Sequence, residues 1–417
     1  MSCRSRPAAT VLVGAILLLL AAFSPAQILG GSLGLVDLTA HQISIVDPSG
    51  QVSVASPVGG FGATGIPQSL LWDDEAPDGF YVGGDGFVGR LTVGLQGPPT
   101  WQLLSSAVGE VAAMSRSGPS ILFLYDGGVD VVWQLDVGTG VLTQVPSGTT
   151  PWGGTLNAGL YDGAAGVHVI GGANGIWTLD PGGTVTSIAS GWSTGVSFVT
   201  ALLLEPATGQ YLAALSGVDR VVRIVPGGGL QDVTAPGAIL FPNALDLDPS
   251  TGEILVGGLA GQVFRLPAGG GPPLLEAVTG SGVPVTGVAR TCPAFRVVLD
   301  DLGSGAALIA IVDLDSTAIE GGMGFSFDVS QPLGQGPLMG FTPDGFTLAL
   351  ITAFPTPQPG IPIHFTLPAP PGLFPAVPFA IPSGIIPVGV PFDVIGAATD
   401  AQGQVTLTSV RRVTLMP

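Results

Sequence analysis

The chain has 417 residues, enough for two or three domains, and Gly (66) with Pro (38) supplies about a quarter of them. Whole-chain disorder and collagen are excluded, because 46% of residues are hydrophobic, only 10% are charged, and the glycines keep no three-residue period. The net charge is -18, every basic residue is arginine and there is no basic patch, which argues against nucleic acid or an anionic membrane surface as partner.

Residues 1–26 read as a secretory signal. Arg4 and Arg6 make the basic start, Val11 to Ala22 the apolar stretch, and Ser24-Pro25-Ala26 the small-residue cleavage site before Gln27. The apolar run falls short of the ~20 residues a membrane anchor needs, and no later run is long enough to span. The expectation is a secreted, periplasmic or cell-surface protein with no membrane span after cleavage. Removing Cys3 leaves Cys292 alone, so the mature chain has no intrachain disulfide and rests on core area. Cys292 itself reads as a small packed residue.

Residues 27–292 carry an internal repeat of about 43 residues. Each unit holds four apolar-rich runs bounded by Gly, Pro or Asp, the pattern of a four-stranded antiparallel sheet. Ile45, Leu91, Leu135, Leu179, Ile224 and Leu266 mark equivalent third strands at spacings of 46, 44, 44, 45 and 42. Val82-Gly83-Gly84, Ile170-Gly171-Gly172 and Val256-Gly257-Gly258 end equivalent second strands, the glycines serving hairpin turns. Four strands per 40–45 residues is the β-propeller pattern, and six third strands predict six blades. The first blade has only three strands between Gly34 and Ala55, so Val285 to Ala289 is expected to supply its inner strand and close the ring.

After Cys292 the period stops. Residues 293–417 hold alternating runs such as 295–299, 307–312, 346–351, 361–367, 391–397 and 405–415, with Pro-rich loops at 354–362 and 368–391 separating some of them. About seven strands over this length predict a C-terminal β-sandwich. The fold class is therefore all-β, a six-bladed β-propeller followed by a β-sandwich.

Aligning the innermost strands on their apolar pattern gives one polar column: Gln68, Glu110, Asn157, Thr200, Asn243 and Thr286, spaced 42, 47, 43, 43 and 43. In a propeller this column rings one mouth of the central channel. Small polar groups suit a water-filled channel, and one carboxylate with two amides would also suit a hard cation such as Ca²⁺. Phe61, Trp152, Trp192 and Phe241 lie in loops entering these strands, where they either pack between blades or grip a ligand. Asp73, Asp162, Glu205 and Asp248 recur at the first turn of their blades and read as turn caps.

Several motifs fail on context. Gly30-Gly31-Ser32-Leu33-Gly34 has no helix after it to form a nucleophile elbow, and Gly84 to Gly89 matches G-x-G-x-x-G inside a hairpin. Asp313-Leu314-Asp315 lacks the later ligands of a calcium loop. His41, His168 and His364 fall in different units, with neither zinc spacing nor a Ser-His-Asp set.

The sixth unit, Phe241 to Asp248 through Gly252 to Val256, resembles NHL and SMP-30/gluconolactonase-like six-bladed propellers. The SMP-30 resemblance implies a divalent cation at the channel mouth and lactone hydrolysis there. Glu110, Asn157 and Asn243 match the residue types of that metal site, although no Asp stands in the column. The C-terminal sandwich resembles modules common on secreted bacterial proteins, which implies surface association or export. The leading expectation is a non-catalytic propeller, without cofactor, that binds an extracellular carbohydrate or protein through the column with Trp152, Trp192 and Phe241. The alternative is a metal-dependent lactonase.

Overall fold

The computed structural model describes residues 32–415, apart from 38–40, 47–50, 57–60, 62–64, 74–78, 94–98, 119, 149–151, 153–155, 174, 191–197, 206–207, 226, 249–250, 268–270, 280–283, 291–295, 304, 315–317, 332–334, 339, 359–360, 362, 367–371, 404 and 409. The signal segment 1–26, Trp192, Cys292 and Asp315 therefore lie outside the described residues.

Residues 33–290 form a β-propeller. Their four-stranded antiparallel sheets have inner strands Pro67–Trp72, Val111–Arg116, Ala158–Asp162, Val199–Glu205, Ala244–Leu247 and Val285–Arg290. Each inner strand neighbours the next, and Val285–Arg290 returns beside Pro67–Trp72, so the ring closes. The closing strand pairs antiparallel with Leu33–Asp37, Val288 opposite Leu35, and completes the first blade from the other end of the propeller segment. Closure leaves no inner edge free for pairing with another chain. The blades are numbered from this one.

Alternation along each strand turns apolar side chains onto both sheet faces, where they pack against the neighbouring blade. Between blades 1 and 2, Val36, Ile43 and Ile45 share a core with Leu70, Phe80 and Leu91. Glycine is required where blades approach most closely. A Cβ on Gly159 would stand 2.0 Å from the Tyr125 ring of the preceding blade.

The C-terminal residues form two antiparallel sheets over one core. One joins Arg296–Gly303, Ala306–Leu314 and Gly372–Ile381; the other joins His364–Thr366, Ala318–Ser326, Pro391–Asp400, Val405–Leu407 and Arg411–Thr414. Val297, Ala307 and Ile309 from the first meet Met323, Phe325, Phe365, Phe392 and Val394 from the second. This two-layer packing follows the sandwich expectation.

Two local expectations are corrected here. The run 346–351 is not a strand but part of an α-helix, Gly345–Ala353. Asp344 caps it, accepting the Thr347 N–H at 2.9 Å while the Thr347 hydroxyl lies 3.2 Å from the Asp344 nitrogen. The stretch 368–391 is not all loop, because Gly372–Ile381 pairs with Ala306–Leu314. Its register slips between Phe374 and Phe379, around Pro375 and Pro378, which cannot donate to the ladder.

Candidate functional site at the channel mouth

The start of each inner strand defines one mouth of the ring. In blades 2, 3, 5 and 1 the ladder skips one residue there, between Pro67 and Ser69, Val111 and Ala113, Val199 and Ala201, and Val285 and Gly287. The bulged residues are Gln68, Ala112, Thr200 and Thr286. In blades 4 and 6 the ladder starts at Ala158 and Ala244, and the N–H groups just before it, on Asn157 and Asn243, donate to Gly171 O (3.1 Å) and Gly257 O (2.8 Å).

Strand register therefore makes the column Gln68, Ala112, Asn157, Thr200, Asn243 and Thr286. Glu110 does not belong to it. It stands two residues earlier, exposed, with its backbone bridged to Asp85. The uneven sequence spacings of 42 and 47 around Glu110 signal this displacement, since Ala112 restores 44 and 45. A bulge adds a residue without changing the apolar pattern, which is why alignment on that pattern slipped.

The correction bears on the cation expected from the SMP-30 resemblance. Ala112 replaces the carboxylate, leaving the neutral amides of Asn157 and Asn243. The Thr200 hydroxyl is directed at main-chain oxygens, with Pro242 O at 2.6 Å and Ala214 O at 3.3 Å. This donor set does not fit such a cation, which needs several converging oxygens with a carboxylate among them. Among the described residues no group of three or more His, Cys, Asp or Glu is placed to hold a metal ion. Thr286 Oγ1 is buried with no hydrogen-bond partner among the described residues.

The loop aromatics divide. Phe61 is 6% exposed, stacks on Phe87 at 5.8 Å and meets Trp101 edge-on at 5.0 Å, while Trp152 is 1% exposed against Trp177. Both are packing residues, which removes Trp152 from the expected ligand site. Phe241 is different. It is 50% exposed and its φ is +46°, a conformation costly for a bulky side chain. Two further exposed apolar residues stand at the same mouth, Phe198 and Leu240, and the sequence reading missed both. Their position just before the buried Val199 and Pro242 was the available signal.

These residues are tied together by the turn 216–219 of blade 5. Ser216 N–H donates to Phe198 O at 3.3 Å, and Asp219, at φ +52°, accepts the Phe241 N–H at 2.8 Å. Asp130 repeats the device in blade 3: at φ +57° it accepts the Leu156 N–H at 3.0 Å. Each aspartate thus holds the loop that leads into the next blade's inner strand.

The acids at the opposite ends of the inner strands serve the fold. Asp162 caps its turn through the N–H groups of Ala164 and Ala165 (3.0 Å each) and also accepts the Tyr211 hydroxyl of blade 5 at 2.7 Å. Asp73 pairs with Arg90 and with Arg116 of blade 3, both at 2.7 Å. Asp248 pairs with Arg290 of the closing strand at 3.1 Å, and Glu205 with Arg223 at 2.7 Å. The turn-cap expectation omitted these partners, of which Asp162–Tyr211, Asp73–Arg116 and Asp248–Arg290 join neighbouring blades. His168 is buried between blades 3 and 4 with Nδ1 3.1 Å from the Tyr125 hydroxyl, and burial pulls its pKa down to about 4. It is a neutral packed group at ordinary pH, not part of a triad.

No protein-family model matches the chain, and no curated protein sequence matches it. Solved structures do. The chain is similar to the structure titled nidogen/laminin complex at 11% identity and a TM-score of 0.50, over 62% of this chain and 97% of that one. It also aligns with a streptogramin B lyase structure (12% identity, 58% and 75% covered, TM-score 0.41) and with the WD40 β-propeller domain of Doa1 (12% identity, 69% and 90%, TM-score 0.45). At 11% identity the likeness to the nidogen/laminin structure is one of fold alone. Among the described residues no helix is long and apolar enough to cross a membrane.

Proposed function

We propose that this chain is an exported, non-catalytic propeller that binds a macromolecular partner at its channel mouth, its C-terminal unit serving surface association or export. The observation that carries the reading is Phe241, held half-exposed in a left-handed backbone conformation beside the exposed Phe198 and Leu240. Elsewhere in the ring, large aromatics such as Phe61, Phe80 and Trp152 are turned inward. Backbone strain that no burial of the ring offsets is the kind retained for contact with something else. The half-buried Gln68, Asn157 and Asn243 beside the channel add hydrogen-bonding groups without acid–base capacity. Export rests on the N-terminal signal pattern, and the role of the tail rests on its resemblance to modules of secreted bacterial proteins.

The test is a binding screen of the purified protein against arrays of glycans and of purified extracellular proteins. Phe198→Ser with Phe241→Ser is the test variant, and Leu275→Ser, on an exposed outer strand of blade 6, is the control. Loss of a binder in the double variant alone is expected. A binder lost only in the control, or lactone turnover abolished by Glu110→Gln, would overturn the reading.

A further inference from the structure

Charge at the mouth narrows the class of partner. Among the described residues, Asp85, Glu110, Asp126, Asp130, Asp219 and Asp232 stand at the mouth ends of their strands and turns. Against them is a single arginine, Arg220, already paired with Asp232 at 2.9 Å. His41, exposed in the blade 1 turn, is the other basic side chain at this end. Asp126 is fully buried and saturated by the N–H groups of Gly109, Gly128 and Trp133 Nε1 at 2.7 to 3.1 Å. Asp130 and Asp219 each use one oxygen to hold a loop.

Asp85 and Glu110 differ from these. Both are exposed, their backbones are bridged, and neither carboxylate accepts a hydrogen bond from a described residue. Opposed across this bridge, the two exposed acids add negative charge to this side of the mouth, which attracts a cationic group. They belong to blades 2 and 3, across the channel from the apolar residues of blades 5 and 6. One rim is thus anionic and the other apolar.

Resting on the mouth-binding reading, we infer that the partner is a polypeptide segment combining lysine or arginine with an apolar or aromatic anchor. The anchor meets Phe198, Leu240 and Phe241, and the cations meet Asp85 and Glu110. A neutral sugar answers the apolar rim alone and leaves the charge of these two acids uncompensated. A polypeptide can span the mouth and satisfy both rims. The chain's own charge of -18 adds long-range attraction for such a segment.

The test selects a displayed random-peptide library on the immobilised protein. Basic sequences with one aromatic or aliphatic anchor are expected to be enriched. For a selected peptide, Phe241→Ser should weaken binding about tenfold or more, as should Asp85→Asn combined with Glu110→Gln. Added salt should weaken binding to the protein and have less effect on the residual binding of the Asp85/Glu110 variant. Enriched neutral or acidic peptides that Phe241→Ser releases would overturn the cationic partner and leave the mouth as the site. Basic peptides indifferent to every one of these substitutions would overturn both readings. Failure to enrich any peptide would overturn the polypeptide proposal, and the mouth reading would then stand or fall on the glycan array.

Discussion

The seam where the ring closes holds a carboxyl group from which a specific pH response is predicted. Asp246, on the inner strand of blade 6, accepts the backbone N–H of Arg290 on the closing strand at 2.5 Å. Burial pushes its pKa up from 3.8 to about 7; Asp248 adds to the rise, while the Arg290 N–H and guanidinium oppose it. The surrounding charges are already committed, since Arg290 also pairs with Asp248 (3.1 Å) and Glu276 (3.3 Å), and Arg265 pairs with Glu276 and Glu253 (3.2 Å each). The folded carboxyl keeps its proton to a higher pH than the unfolded one. Its contribution is therefore fully present below about pH 4 and is lost as pH rises through about 7. A rise of about three pH units corresponds to about 4 kcal/mol of folding stability. Asn keeps the shape and an acceptor for the Arg290 N–H but cannot ionise. Asp246→Asn should match the parent near pH 4 and exceed it by up to about 4 kcal/mol above pH 8. Urea unfolding across this range, followed by tryptophan fluorescence, measures the difference. A variant equally destabilised at both ends would refute the reasoning, because a pH-independent difference would show that folding does not raise the Asp246 pKa.

Other substitutions test the blade contacts and the C-terminal unit. Asp73→Ala leaves Arg90 and Arg116 facing each other without their buried partner and should cost about 3 kcal/mol in denaturant unfolding. Gly159→Ala drives a methyl into the Tyr125 ring and should cost about 3 kcal/mol, with the near-ultraviolet tyrosine signal altered. Asp344→Ala removes the helix cap in the C-terminal unit and should cost about 1 kcal/mol. His364 lies 2.7 Å from Glu320, and its pKa is raised by hydrogen bonds to Glu320 and Phe354 that outweigh the opposing effect of burial; Glu320→Gln should move it down in an NMR titration.

Much of the ring was legible because its determinants are local and repeated. Glycine-bounded strand ends, alternating apolar residues and a three-stranded first unit together specify the sheets and the strand that closes them. The site was less legible, for identifiable reasons. A single-residue bulge displaced Glu110 from the column while leaving the apolar pattern intact. Trp152 and Phe241 occupy comparable loops, yet one is buried against Trp177 and the other is held outward by Asp219. That difference depends on the neighbouring blade, which no local window contains. In the tail, Phe346 to Ile351 alternates as a strand would but is too short for alternation to exclude a helix, and Asp344 with Thr347 was the overlooked cap. Pro375 and Pro378 masked a strand that tolerates them at a slipped register.

The central claim, that the mouth between blades 5 and 6 is the recognition surface, is open to direct measurement. Amide hydrogen exchange of the full chain with and without a saturating selected basic peptide gives the footprint. Protection is predicted at 216–220 and 237–243, with a second region around 85–86 and 109–110. Protection confined to the outer strands of the blades or to residues 296–415 would contradict the account.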